Sequence, residues 1–99
     1  MYLGALTLDV LLGDIRSLKQ KRSAVASIVA EVRRRHPAVA VAETGSLDRP
    51  PRAEIGVAAV ASTAAHVTEV LDACERLVAA RPDVELLSAR VRLVSEEEG

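Results

Sequence analysis

The chain repeats one pattern twice along almost its whole length. Each copy holds an apolar strand, an amphipathic helix that ends in basic residues before a proline, and a second strand. The copies align at a constant offset, and the matching positions are Val25, Val29, Val32, Pro37 and Val39 with Val70, Cys74, Leu77, Pro82 and Val84. Right-handed crossovers place both helices of such a doubled unit over one face of a sheet. The sequence therefore predicts an α+β fold, a ferredoxin-like βαββαβ sandwich with a four-stranded antiparallel sheet and two helices on one face.

Turn and capping residues predict where the elements begin and end. Strands are expected at residues 2–10, 38–43, 53–61 and 84–94, with the first and third in the centre of the sheet. The first helix is expected to begin after Ser17, which has Gln20 at the capping-box position, and to stop at Pro37. The second is expected to begin after Ser62 or Thr63 and to end at the Arg-Pro pair of residues 81–82.

The apolar stripe of the first helix has a gap. Its expected members are Leu18, Val25, Ile28, Val29 and Val32. Positions 21 and 22 should also face inward on a helical period, yet they are Lys21 and Arg22.

Length and composition restrict the class of protein. The 99 residues suit one domain, predicted at 1–95, followed by an acidic, disordered tail at 96–99. Tyr2 is the only residue among Phe, Trp and Tyr, so the core must be aliphatic and base stacking of the kind used by RNA-recognition modules is excluded. No glycine-rich phosphate loop is present, and His36, His66 and Cys74 have no metal-ligand spacing. We expect no catalytic residues, no cofactor and no metal.

The same features predict a cytoplasmic protein that has no membrane partner. A single cysteine, Cys74, cannot form an internal disulfide and fits the second helix's apolar stripe as a small core residue. The start of the chain has neither the basic leading segment nor the cleavage site of a signal peptide. No stretch approaches the roughly 20 apolar residues of a membrane span.

Basic residues concentrate where the first helix begins. Arg16, Lys19, Lys21 and Arg22 lie within about a turn and a half of each other, beside the unpaired amides and the positive dipole end of the helix. They predict a site for phosphates of RNA. Acidic side chains of this chain could neutralise them instead, or the run could be an ordinary solvated surface.

The long loop between the two copies carries further candidates. Arg49 and Arg52 flank two prolines that stiffen it, and they are predicted as secondary anion contacts. Glu43 and Asp48 could pair with these arginines or act in acid–base chemistry. The basic run Arg33-Arg34-Arg35 is explained by the dipole at the end of the helix.

The sheet face opposite the helices is expected to be apolar and uncovered. Its predicted members are Leu3, Ala5, Thr7, Ala58, Val60 and Leu86. An uncovered apolar face usually marks an interface. The sequence therefore predicts a homodimer formed through this face, or a partner docked on it.

Several segments resemble a known family. They are residues 1–6, the Ser-Leu-Lys-x-Lys-Arg run at 17–22, residues 41–43, residues 52–58 and residues 69–72. Together they make the chain similar to the YlxP-like bacterial family of unknown function, with Pro50 and Pro51 standing where that family has an aromatic and an amide residue. The resemblance implies a ferredoxin-like fold and a role linked to the ribosome or to RNA.

Two functional hypotheses follow. The first is a non-enzymatic accessory protein that binds ribosomal RNA or a ribosome-associated partner, using Arg16, Lys19, Lys21 and Arg22 with Arg49 and Arg52. The second is a small-ligand-sensing regulatory dimer, with a pocket between the loop at 11–14 and the dimer seam. An enzyme using Glu43, Asp48 and His66 is the least supported reading.

Overall fold

The computed structural model describes residues 1–46 and 49–96, and it contains four strands and two helices. They are β1 (Tyr2–Leu12), α1 (Leu18–Arg35), β2 (Ala40–Gly45), β3 (Arg52–Ala61), α2 (Ala64–Ala79) and β4 (Val84–Ser95). The strands form one sheet in the order β2-β3-β1-β4, with every neighbouring pair antiparallel. The predicted βαββαβ order and central strands are confirmed.

The core is aliphatic because alternate residues of each strand face the helices. In β1 these residues are Leu6, Leu8, Val10 and Leu12, all buried. The helices contribute the buried stripes Val25, Ile28 and Val32 from α1 and Val67, Leu71, Cys74 and Val78 from α2. Cys74 is fully buried here, as predicted, and burial raises the pKa of its thiol.

Both helices begin with side-chain caps. The Ser17 hydroxyl accepts a hydrogen bond from the amide of Gln20 at 3.1 Å, and the Thr63 hydroxyl accepts one from the amide of His66 at 3.1 Å. The Gln20 side chain returns to the backbone but accepts from the amide of Arg16, one residue before the cap. The predicted helix starts are therefore confirmed.

Two predicted facings are wrong. Leu18 was assigned to the buried stripe but remains 40% exposed, because it lies in the first turn of α1. Leu86 was assigned to the uncovered face but pairs with Val10 and packs against the core. A β-bulge in β4 between the partners of Asp9 and Val10 inserts one residue, and one extra residue reverses the facing of all that precede it.

Arg81 joins the two halves of the fold. It lies just after α2, and its guanidinium donates to Glu31 of α1 at 2.6 Å and to Asp83 at 2.9 Å. A further hydrogen bond reaches the hydroxyl of Ser27 on α1. The bond from Arg81 lowers the pKa of Asp83. α2 ends at Ala79, two residues earlier than predicted, and Arg81 is part of this inter-element contact.

The two outer edges of the sheet differ. Met1 and Glu96 exchange two backbone hydrogen bonds, and the antiparallel alternation then directs the amides and carbonyls of Ala89, Val91, Leu93 and Ser95 away from β1. On the opposite edge, the guanidinium of Arg33 donates to the carbonyl oxygen of Val41 in β2 at 3.2 Å. A charged side chain thus occupies one carbonyl of the β2 edge, whereas in the described part of the chain those outward backbone groups of β4 have no hydrogen-bond partner.

Neither α1 nor α2, the two helices of the described residues, combines the length and apolarity that crossing a bilayer requires. The predicted tail at 96–99 lies largely outside the described residues, and of it only Glu96 is placed.

Gly4 tests the packing of α2 on β1. A Cβ added at Gly4 would lie 2.7 Å from Leu71 Cδ1 and closer still to Val67 Cγ1, so Gly4→Ala should force α2 away from the sheet. We expect the free energy of unfolding in urea to fall by about 1–3 kcal/mol. Gly13→Ala is the control, because the nearest atom to its added Cβ is 3.8 Å away. Equal stability of the two variants would contradict this packing.

The Arg81 contact predicts a pH dependence of stability. The folded pKa of Asp83 is lowered, so its contribution is fully present above the unfolded-state value of about 4 and is lost as pH falls through the lower folded value. Arg81→Gln should therefore be less stable than wild type at pH 7, with a difference that narrows below about pH 4. Thermal unfolding across this pH range measures the difference. A stability difference between wild type and Arg81→Gln that stays constant across this pH range would exclude the Asp83 contribution.

Candidate functional site

Lys21 is buried at the junction of α1, β2 and the loop that follows β2. Its side chain is 2% exposed, and its ammonium lies 3.2 Å from Glu43 Oε2. The same ammonium donates hydrogen bonds to the carbonyl oxygens of Ser46 and Arg49, the latter at 3.1 Å. Glu43 Oε2 has no aligned hydrogen-bond donor, so its contact with Lys21 is an ion pair. Three partners therefore surround the three protons of Lys21.

The strand pattern explains why this charge can be buried. Val41 and Glu43 alternate on the face of β2 that the helices cover, opposite Val57 and Ile55 of β3. β2 is an edge strand, so Glu43 stays 19% exposed while it meets Lys21. The gap in the α1 stripe at position 21 is thus filled by an ion pair in place of an apolar contact.

The prediction that Lys21 contacts an external anion is wrong. Its ammonium is already paired with groups inside the protein, and it is buried, so a phosphate in solution cannot contact it. Glu43 likewise pairs with Lys21 and not with Arg49 or Arg52, the two arginines considered for it. Asp48, the other acid of that prediction, lies outside the described residues.

The contacts of Lys21 show where the β2–β3 loop lies relative to α1. Its bonds to the carbonyls of Ser46 and Arg49 fasten the β2–β3 loop to the beginning of α1. The amide of Arg52 in turn donates to the carbonyl of Arg49 at 3.1 Å. The backbone at Arg49, and through it the start of β3 at Arg52, is therefore attached to the beginning of α1, the helix that carries Lys19 and Arg22 and that Arg16 precedes.

We call these five remaining cations, Arg16, Lys19, Arg22, Arg49 and Arg52, the basic surface. All are exposed except Arg52, which is half-buried. Within residues 1–46 and 49–96, none of the five forms an ion pair. The Nε atom of Arg52 is buried without a hydrogen-bond partner in the same described part. Arg76 pairs with Asp72, and Arg81 pairs with Glu31 and Asp83. Within the same described ranges, Arg33, Arg34, Arg35 and Arg92 also form no ion pair.

The uncovered face of the sheet divides into an apolar end and a polar end. Leu3, Ala5, Ala58 and Val60 lie together at the apolar end, as predicted, and Val94 joins them from β4. Alanine side chains leave a shallow trough there, bordered by Val60, Val94 and Arg92. Neither Arg92 nor Val94 was among the predicted members of this face, although both follow the bulge and keep the simple alternation of the strand. The homodimer predicted through this face stays a prediction.

Other candidate groups are dispersed. His66 lies in the first turn of α2, exposed, and far along the chain from Glu43. In the described ranges, no three residues among His, Cys, Asp and Glu approach closely enough to hold a metal ion.

Lys21→Met should destabilise the fold, because Glu43 would keep a partly buried charge and two carbonyls would lose their donor. Breaking a buried pair on one side costs about 3–5 kcal/mol, and the residual exposure of Glu43 puts the expected loss near the lower figure. The double variant Lys21→Met/Glu43→Gln should recover part of that loss in urea unfolding. If the loss in the double variant equals the sum of the losses in Lys21→Met and Glu43→Gln alone, the two side chains are not coupled.

The solved structures that are similar to the chain include two designed proteins. "De novo designed protein Foldit4" has 14% sequence identity and a TM-score of 0.55, with 98% of this chain and 100% of that chain covered. The designed protein LFR1 1, described as having a ferredoxin fold, has 16% identity and a TM-score of 0.50, with 100% and 89% covered. At such identity the likeness concerns the fold. No curated protein matches the chain.

A family model does match, over residues 3–91, and it describes a protein family of unknown function, DUF503. The match spans both strand–helix–strand copies, including the first helix and the loop that carry the basic surface. The narrower resemblance to YlxP-like proteins stays a prediction. By the extent of this match, the chain belongs to the DUF503 family.

Proposed function

We propose that the chain is a non-enzymatic accessory protein that binds ribosomal RNA through the phosphates, using the basic surface. The observation that carries the proposal is the attachment of the β2–β3 loop to α1 by Lys21. Because of it, the backbone that carries Arg49 and Arg52 is attached to the part of α1 that carries Lys19 and Arg22, which supports a shared surface for one polyanion.

The electrostatics favour a polyanion over a single small anion. The cations occupy both the start of a helix and an adjacent loop, so they form an extended surface and not one pocket. No acid of the described residues pairs with them, whereas the chain as a whole has a net charge of −1. A nearly neutral protein can still attract phosphates locally where its cations have no acidic partner. The lack of exposed aromatics favours binding to the backbone over reading of bases.

The salt dependence of binding to a fluorescently labelled ribosomal RNA fragment tests the proposal. Five phosphate contacts should give a slope of about −4 in a plot of log affinity against log salt concentration. Affinity should then fall roughly 10²-fold between 50 and 200 mM salt. Lys19→Glu/Arg22→Glu should bind at least ten-fold more weakly and reduce the slope by about 2.

Arg34→Glu/Arg35→Glu is the matched control. It changes the net charge equally, on exposed residues of the same helix, at the end away from the basic surface. It should retain most of the affinity. Equal losses in the two variants would show that binding is not localised at the start of α1. Binding to intact ribosomal subunits but not to the RNA fragment would replace RNA with a ribosomal protein as the partner.

The second hypothesis, a small-ligand-sensing regulatory dimer, stays a prediction. The loop of residues 11–14 donates backbone hydrogen bonds from Leu12 to Pro51 and from Gly13 to Asp83, and these contacts do not point to a ligand.

A further inference from the structure

The outer edge of β4 has the properties of an interface. The strand is 12 residues long, and the backbone groups of Ala89, Val91, Leu93 and Ser95 face away from β1. Val91 is 55% exposed and Leu93 is 44% exposed, although both lie on the side of the sheet that the helices cover. A long edge whose backbone groups face outward is a template for another strand, and the exposed Arg90 and Arg92 on the other side of β4 restrict which strand it can accept.

We propose that β4 pairs with β4 of a second copy of this chain, antiparallel and about a two-fold axis at Leu93, to form a continuous eight-stranded sheet. A strand of the same sequence is a suitable occupant because two-fold pairing uses one edge twice. Pairing about Leu93 would place Val91 opposite Ser95 of the second copy and Leu93 opposite Leu93. These three outward-facing pairs would exchange about six main-chain hydrogen bonds.

The charges of β4 select this register. Placing Val91 opposite Ala89, Val91 or Leu93 of the second copy would in each case bring an arginine opposite an arginine, through Arg90, Arg92 or both. Registers displaced further toward the start of β4 meet the bulge near Leu87. The register about Leu93 instead places Arg90 opposite Glu96, twice by symmetry, and Arg92 opposite Val94. A register displaced one step toward the end of β4, about Val94, would also bring an arginine opposite an acid, Arg92 opposite Glu96. Among the residues up to 96 it pairs only Leu93 with Ser95 through outward-facing backbone groups, which gives about four main-chain hydrogen bonds in place of six. Charge, the bulge and the number of hydrogen bonds together favour the alignment about Leu93.

The exposed apolar side chains support the same geometry. Val91 and Leu93 are both exposed although they lie on the side of the sheet that carries the helices, so α2 leaves them uncovered. In the proposed dimer the two Leu93 side chains would lie opposite each other on that side. Their apolar surface would be removed from water without any change in the fold of either copy.

Leu93→Pro tests the main-chain pairing. The amide of Leu93 faces outward, so a proline there removes an intermolecular donor and leaves the hydrogen bonds to β1 intact. Sedimentation velocity of the full chain should show a concentration-dependent dimer for wild type and a monomer for Leu93→Pro. Leu93→Ala is the control that retains the donor, and it should still dimerise. Circular dichroism confirms that each variant is folded. A monomeric wild type, or a dimeric and folded Leu93→Pro, would overturn the proposal.

A charge exchange tests the register. Arg90→Glu and Glu96→Arg should each raise the dimer dissociation constant about five-fold, and the double variant should restore it. Arg92→Glu/Glu96→Arg should not restore it, because Arg92 faces Val94 in the proposed pairing. Absence of rescue by the first double variant would exclude this register.

Val60→Glu distinguishes the edge from the uncovered sheet face. Val60 is 60% exposed on that face and does not belong to β4. The substitution should leave the dimer unchanged. Loss of the dimer in Val60→Glu, with retention in Leu93→Pro, would assign the interface to the sheet face and overturn pairing through β4.

Discussion

The arrangement of the basic surface depends on one buried ammonium group. Lys21 meets a carboxylate from β2 and two backbone carbonyls from the loop that follows it, so one side chain fixes three segments together. A buried charge is costly unless it is paired and hydrogen-bonded, and these partners meet that condition. An apolar residue at position 21 could fill the space but could not hold the loop through its carbonyls. The ion pair therefore contributes geometry that packing alone would not supply.

The fold could be predicted from sequence because its two determinants are periodic. Apolar positions alternate along the strands and recur on a helical period in α1 and α2, and the doubled pattern leaves few topologies. The caps at Ser17 and Thr63 were also predictable, since they depend on residue types at fixed local spacing. Errors arose where periodicity is broken. The bulge in β4 adds one residue without any sequence signal of its own, and it reversed the assignment of Leu86.

The candidate site was less predictable because charge does not report burial. Lys19, Lys21 and Arg22 look equivalent in the sequence, yet one is a core residue and two lie on the surface. The available signal was the position of Lys21 in the apolar stripe, together with Glu43 at a covered position of β2. Recognising that Lys21 and Glu43 pair requires the relative position of α1 and β2, which only the tertiary structure provides. The nearness of Arg49 to α1 was hidden for the same reason, since it depends on contacts between residues more than 20 positions apart.

Arg33 has a consequence for any assembly of the chain. Its guanidinium hydrogen-bonds the carbonyl of Val41 and so competes with an added strand for one backbone group of the short β2 edge, whereas the longer β4 edge has no such competitor among the described residues. A sheet able to grow from both sides could propagate from copy to copy into a fibre. In the proposed dimer only the β4 edge pairs, and the two-fold contact occupies that edge in both copies. Assembly would then stop at two copies, which protects a chain with long aliphatic strands from open-ended polymerisation.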